Sequence, residues 1–186
     1  MKNKGLQRKD KQEKAVRSAK ECAYLAMFVA LVIAVQLVLS AVPGVELVTV
    51  LFAAYAFTMG VAHGLLAATA FTLLRQLVFP FSPTAFLVYI IYFNLFALAF
   101  GLLGKKLKNS LKFLWIIVLA ACLGTVCFTM LDNLITPLWL GLSGRSAELY
   151  FKASLPFMLP QVICTAVSVA VLFVPLQKTF RLICRR

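Results

Sequence analysis

The chain has 186 residues, 62% of them hydrophobic and only 13% charged, with a mean hydropathy of +0.94. A soluble domain carries nearer about a quarter charged residues, so a soluble globular fold is excluded and a helical membrane protein is implied. Nineteen Lys and Arg against six Asp and Glu give a net charge of +13. Without an aqueous surface to display a basic groove, that excess speaks for membrane topology rather than for nucleic acid.

Residues 1–20 hold eight of the cations in a polar tail that is read as cytoplasmic. The first apolar helix is expected over 21–42. A secretory signal has an apolar core of only about 7 to 15 residues, so this stretch reads as a retained helix. Beyond Pro43-Gly44 an apolar run extends to Phe79, interrupted by Gly60-Val61-Ala62-His63-Gly64 and closed by the loop Pro80-Phe81-Ser82-Pro83. As one helix it would be about 50 Å long, too much for a hydrocarbon core of about 30 Å. As two it makes short helices over 46–60 and 63–79.

A fourth helix over 84–104 leads into Lys105-Lys106-Leu107-Lys108 and Lys112, a short basic loop that belongs on the same side as the tail. Only an even number of crossings before that loop satisfies both clusters, which selects the two short helices. The fifth helix is expected over 111–136, ended by Pro137, and the sixth over 154–177, opened by Ser154 as N-cap. Lys178, Arg181, Arg185 and Arg186 then return inside. The fold class is thus an all-α polytopic membrane protein with six transmembrane helices and both termini cytoplasmic. One membrane domain over 21–180 lies between the basic tail and a basic C-terminus over 181–186, and the location is a bacterial cytoplasmic membrane.

Five cysteines, Cys22, Cys122, Cys127, Cys164 and Cys184, form no C-x-x-C and lie in or beside apolar segments, where they read as small packing residues. The single histidine, His63, has no ligand partner at helical spacing, so no metal site is expected.

Polar residues inside the membrane carry the functional signal, because an ionisable group near the midplane costs roughly 3 kcal/mol on insertion scales. Thr125, Thr129, Asp132 and Thr136 recur at i, i+4, i+7 and i+11 on the fifth helix, one stripe running outward. Gln161, Thr165 and Ser168 repeat the pattern on the sixth. Tyr89, Tyr92 and Phe96 stripe the fourth from its outer end, Arg75 and Gln76 close the third, and Glu46 opens the second. These groups converge on the outer half. Each also has a plain structural reading: threonines bond helical carbonyls, tyrosines favour interfaces, Arg75 snorkels and Glu46 caps a helix. Asp132 and Gln161, at similar depth on adjacent antiparallel helices, point to one shared aqueous pocket.

On the first helix Ala26, Ala30 and Ala34 repeat every four residues. Small residues on one stripe allow close approach of another helix, either a partner's or one within the bundle.

Taken together, several features resemble the substrate-binding S component of energy-coupling factor transporters. They are the basic tail leading into the alanine ladder, the segment Val42-Pro43-Gly44-Val45-Glu46-Leu47-Val48 before two short helices, the basic turn after helix four, and Leu155-Pro156-Phe157-Met158-Leu159-Pro160-Gln161 opening helix six. The resemblance implies a six-helix bundle that captures a small water-soluble vitamin or precursor from outside. It implies that Tyr89 and Tyr92 stack a ring, that Asp132, Thr136 and Gln161 hydrogen-bond it, and that Arg75 or Glu46 pairs with its charge, under a lid at 42–45. Ala26, Ala30 and Ala34 would then dock on an energy-coupling transmembrane subunit driven by two ATPase subunits. The sequence contains no G-x-x-x-x-G-K-[ST] motif, so ATP hydrolysis is expected in those partners, and neither an enzymatic activity nor a cofactor is expected here. The competing reading is an MreD-like membrane scaffold of cell-envelope machinery, with no small-molecule ligand.

Overall fold

The computed structural model describes residues 2–42, 45–107 and 112–185, with side chains described over 19–42, 45–107 and 112–183. All regular structure among them is helical: α1 Lys2–Leu39, α2 Val48–Met59, α3 Val61–Val78, α4 Pro83–Lys106, α5 Leu114–Trp139 and α6 Arg145–Arg185. Of the predicted features, Pro43 and Gly44 in the lid, Lys108 in the basic turn, Leu111 at the start of the fifth helix and the terminal Arg186 lie outside the described residues.

Among the described residues five segments are long and apolar enough to cross a membrane: Ala19–Leu39, Val61–Val78, Pro83–Lys106, Leu114–Trp139 and Arg145–Ile183. Their outward faces carry large apolar side chains such as Leu77, Leu138 and Val38, which suit a lipid surroundings rather than water. Helix α2 is the exception. Its 12 residues rise only about 18 Å, short of the hydrocarbon core. With apolar residues on every side it has no face to give to solvent, and Val48 through Phe57 are all buried. It touches each of the other five helices and forms the centre of the bundle.

The turn expected across Gly60 to Gly64 is contracted to Gly60 alone, the single residue between α2 and α3, at φ +86°. That left-handed conformation suits glycine. Gly64 is already helical, and a Cβ on it would lie 3.1 Å from Ala56 Cβ and 3.3 Å from Ala97 Cβ. The α2–α3 apex rests on two glycines of α4. A Cβ on Gly101 would come within 2.8 Å of the Val61 backbone, and one on Gly104 would overlap the Phe57 carbonyl oxygen.

Several predicted boundaries are corrected. The first helix, expected over 21–42, is already helical from Lys2 and ends at Leu39, and the sixth runs past 177 to Arg185. Pro137 does not end the fifth helix; a proline removes only one donor, and α5 continues through it to Trp139. The stop is a Schellman cap at Gly141 (φ +65°), with Leu142 N–H donating to Pro137 O at 2.8 Å and Gly141 N–H to Leu138 O at 3.3 Å. Likewise Ser154 does not open the sixth helix, which begins at Arg145 directly after Gly144 (φ +55°). The Ser154 hydroxyl instead donates to Phe151 O at 2.8 Å and accepts from Asn133 Nδ2 at 2.8 Å. The fourth helix starts at Pro83, one residue before the expected 84, with Ser82 Oγ accepting from Ala85 N–H at 3.4 Å and Pro83 in the first turn, and it ends at Lys106 rather than 104.

Aromatic rings run through the core. Phe28 stacks on Tyr55 at 3.9 Å, Phe52 meets Phe93 at 4.8 Å, and Tyr89 and Tyr92 meet Phe128 at 5.5 and 4.9 Å. Contacts fix the polarity of the bundle. Glu21 lies 3.9 Å from His63 and Gln36 bonds Arg75, so α1 and α3 are parallel. Val61 against Gly101 makes α3 and α4 antiparallel. Phe180 of α6 meets Phe28 of α1 at 5.8 Å, so Lys105, Lys106 and Lys112 lie at the end where the apolar part of α1 begins and α6 closes with Lys178 and Arg181.

Candidate functional site

At the opposite end the last turns of α1 and α3, the first turn of α2, the second of α4, and the middle of α5 and α6 line a hollow of about 370 Å³. Its polar lining comes from Gln36, Ser40, Glu46, Arg75, Tyr89 and Gln161, and its apolar walls include Phe79, Phe128 and Phe157.

Two hydrogen-bonded groups organise it. In the first, Arg75 Nε donates to Gln36 Oε1 at 3.2 Å and Gln36 Nε2 donates to the Tyr89 hydroxyl at 2.9 Å. The Arg75 guanidinium lies 4.2 Å from the centre of the Tyr89 ring and 4.6 Å from that of Phe79, cation–π contacts that hold its plane. In the second, the Glu46 carboxylate accepts from Thr49 Oγ1 at 3.2 Å and from Gln161 Nε2 at 2.5 Å. The backbone of Glu46 is itself tied to α6, its N–H donating to Cys164 Sγ at 3.4 Å.

A second hollow of about 310 Å³ adjoins the first and shares Phe128, Phe157 and Gln161 with it. Asp132 lines this chamber and accepts from Tyr150 Oη at 2.9 Å and Thr136 Oγ1 at 2.8 Å. The prolines of α6 bear on both chambers. Pro156 and Pro160 lack N–H groups, so the helix bonds to the Lys152 and Pro156 carbonyls are missing beside Phe157 and Gln161.

The structure thus brings together Glu46, Arg75, Tyr89 and Gln161 around one hollow and Asp132 and Gln161 around the next. Thr136 does not line the second chamber; its hydroxyl bonds Asp132, which does. Tyr92 lines neither: it is 6% exposed, packs on Phe93, Phe96 and Phe128, and its hydroxyl is buried with no hydrogen-bond partner among the described residues. Deeper on the α5–α6 seam, Thr125 and Thr165 share a hydroxyl bond of 3.0 Å, and Thr125 and Thr129 also bond carbonyls one turn back. Ala26, Ala30 and Ala34 are all exposed on the outside of α1.

Gln36, Ser40, Thr49 and Tyr150 are polar contributors that sequence reasoning missed. Gln36 had a signal, an amide deep in an otherwise apolar helix. Tyr150 had none, because its segment reads as an external loop. Among the described residues no three His, Cys, Asp or Glu side chains group as metal ligands. What the arrangement offers chemically is recognition: a partly apolar hollow with convergent hydrogen-bonding and charged groups, within the usual range of small-molecule sites. No family model, curated protein or solved structure matches the chain.

Proposed function

We propose that the protein captures a small water-soluble vitamin or vitamin precursor from outside the cell and delivers it to an ATP-driven energy-coupling module, as the membrane-embedded S component of such a transporter. The observation that carries this reading is the 370 Å³ hollow at the end of the bundle away from the lysine clusters. Cations mark the cytoplasmic side, so the hollow faces outward. Both termini then lie on the cytoplasmic side of a bacterial cell membrane, and α2 with α3 completes an even number of passages. The exposed Ala26, Ala30 and Ala34 leave a smooth stripe on which a transmembrane coupling subunit can pack closely. ATP hydrolysis belongs to two further subunits.

Affinity purification from the native membrane in mild detergent tests this. The expected result is a complex with a transmembrane subunit and an ATPase pair. Recovery of cell-envelope enzymes instead, with no ATPase, would replace this reading by the MreD-like scaffold.

A further inference from the structure

Arg75 and Glu46 line the same hollow with opposite charges, yet they do not neutralise each other. Among the described residues no carboxylate lies within 4.0 Å of Arg75, and no cation lies that close to Glu46. Each is held instead by neutral groups: Gln36 accepts from Arg75 Nε, and Thr49 and Gln161 donate to Glu46. These partners fix positions and leave valence open. A guanidinium has further N–H groups beyond Nε, and a carboxylate accepting one donor on each oxygen has about two of its roughly four acceptor sites left. The Arg75 plane is already set by the Tyr89 and Phe79 rings, which suits a paired contact with a carboxylate or phosphate.

An anionic ligand would satisfy Arg75 and be repelled by Glu46, and a cationic one the reverse. A neutral ligand would bury both charges unpaired, which is costly once water is displaced. We propose that the captured compound is a zwitterion, with its anionic group on the Arg75 guanidinium and a cationic nitrogen on the Glu46 carboxylate. Its unsaturated part lies against Tyr89, Phe128 and Phe157. This inference rests on the capture reading above.

The test uses detergent-purified wild-type protein and the variants R75Q, E46Q and, as a lipid-face control, L119A. Each is incubated with a small-molecule extract of yeast and freed of unbound compounds by gel filtration, and what it retains is identified by mass spectrometry. The wild type and L119A are expected to retain one compound that carries both charges at neutral pH. R75Q and E46Q are expected to retain it at least about tenfold less strongly. A retained compound that is neutral or of one charge sign overturns the zwitterion and leaves capture standing. A wild-type protein that retains nothing overturns capture, and the zwitterion with it. If R75Q or E46Q does not fold, the charge of the compound that the wild type retains still decides.

Discussion

Replacing Gly104 by alanine should loosen the seat of the α2–α3 apex on α4. The added Cβ would overlap the Phe57 carbonyl oxygen and lie 2.9 Å from the carbonyl carbon and 3.0 Å from Cα, all backbone atoms that no rotamer change can move. To bring that oxygen to ordinary van der Waals contact, α2 must retreat by more than about 1 Å, but it is buried from Val48 to Phe57 and has no free side to move into. Overpacking of this kind costs about 1 to 3 kcal/mol. Against it stands the better helix propensity of alanine, at most about 1 kcal/mol and less near a helix end. A net loss of about 1 to 2 kcal/mol corresponds, on the scale for chains of this size, to a Tm lowered by about 2 to 8 °C. The assay is thermal denaturation in detergent followed by gel filtration. Gly124→Ala serves as the comparison, because its nearest obstacle is the Phe96 ring at 2.8 Å, a side chain able to shift. An unchanged or raised Tm for G104A, or a larger loss for G124A, would refute the close approach of α4 to α2.

Other perturbations probe the site and the surface. Gln36→Leu removes the acceptor of Arg75 and the donor to Tyr89, and should weaken ligand retention by about 1 to 2 kcal/mol, read by equilibrium dialysis; full retention would show that Arg75 needs no such support. Asp132→Leu and Gln161→Leu should each weaken retention by about 1 to 3 kcal/mol, and undiminished binding in both would remove them from the site. A double-mutant cycle of T125V and T165V should give a coupling of about 0.6 kcal/mol through the shared hydroxyl bond, whereas strict additivity of the two melting shifts would argue against that bond. Ala30→Trp, on an exposed position, should leave stability within about 0.5 kcal/mol while abolishing uptake and copurification of the coupling subunit; normal uptake would dismiss the docking stripe.

Much of this architecture follows from the sequence alone, because hydropathy is a property of contiguous residues. Long apolar runs separated by Pro, Gly and Lys clusters dictate helices and their breaks, and the cation distribution assigns the clusters to one end. The gathering of Glu46, Arg75, Tyr89 and Gln161 was partly legible for the same reason: polar groups stand out in apolar helices, and their depth follows from the rise per residue. Tertiary structure decided what depends on distant backbone. That the short α2 becomes the buried centre rests on Gly101 and Gly104 of α4 admitting its apex. Pro137 ends nothing because the left-handed Gly141 supplies the cap, and Ser154 sits mid-helix because its hydroxyl finds Asn133 on α5. Helical periodicity placed Tyr89 and Tyr92 on one stripe, but packing on Phe96 and Phe128 buried Tyr92 while Tyr89 faces the hollow. Whether a polar side chain lines a cavity or closes its own bonds is set by packing between segments far apart in the chain, and spacing within one helix carries no information about that.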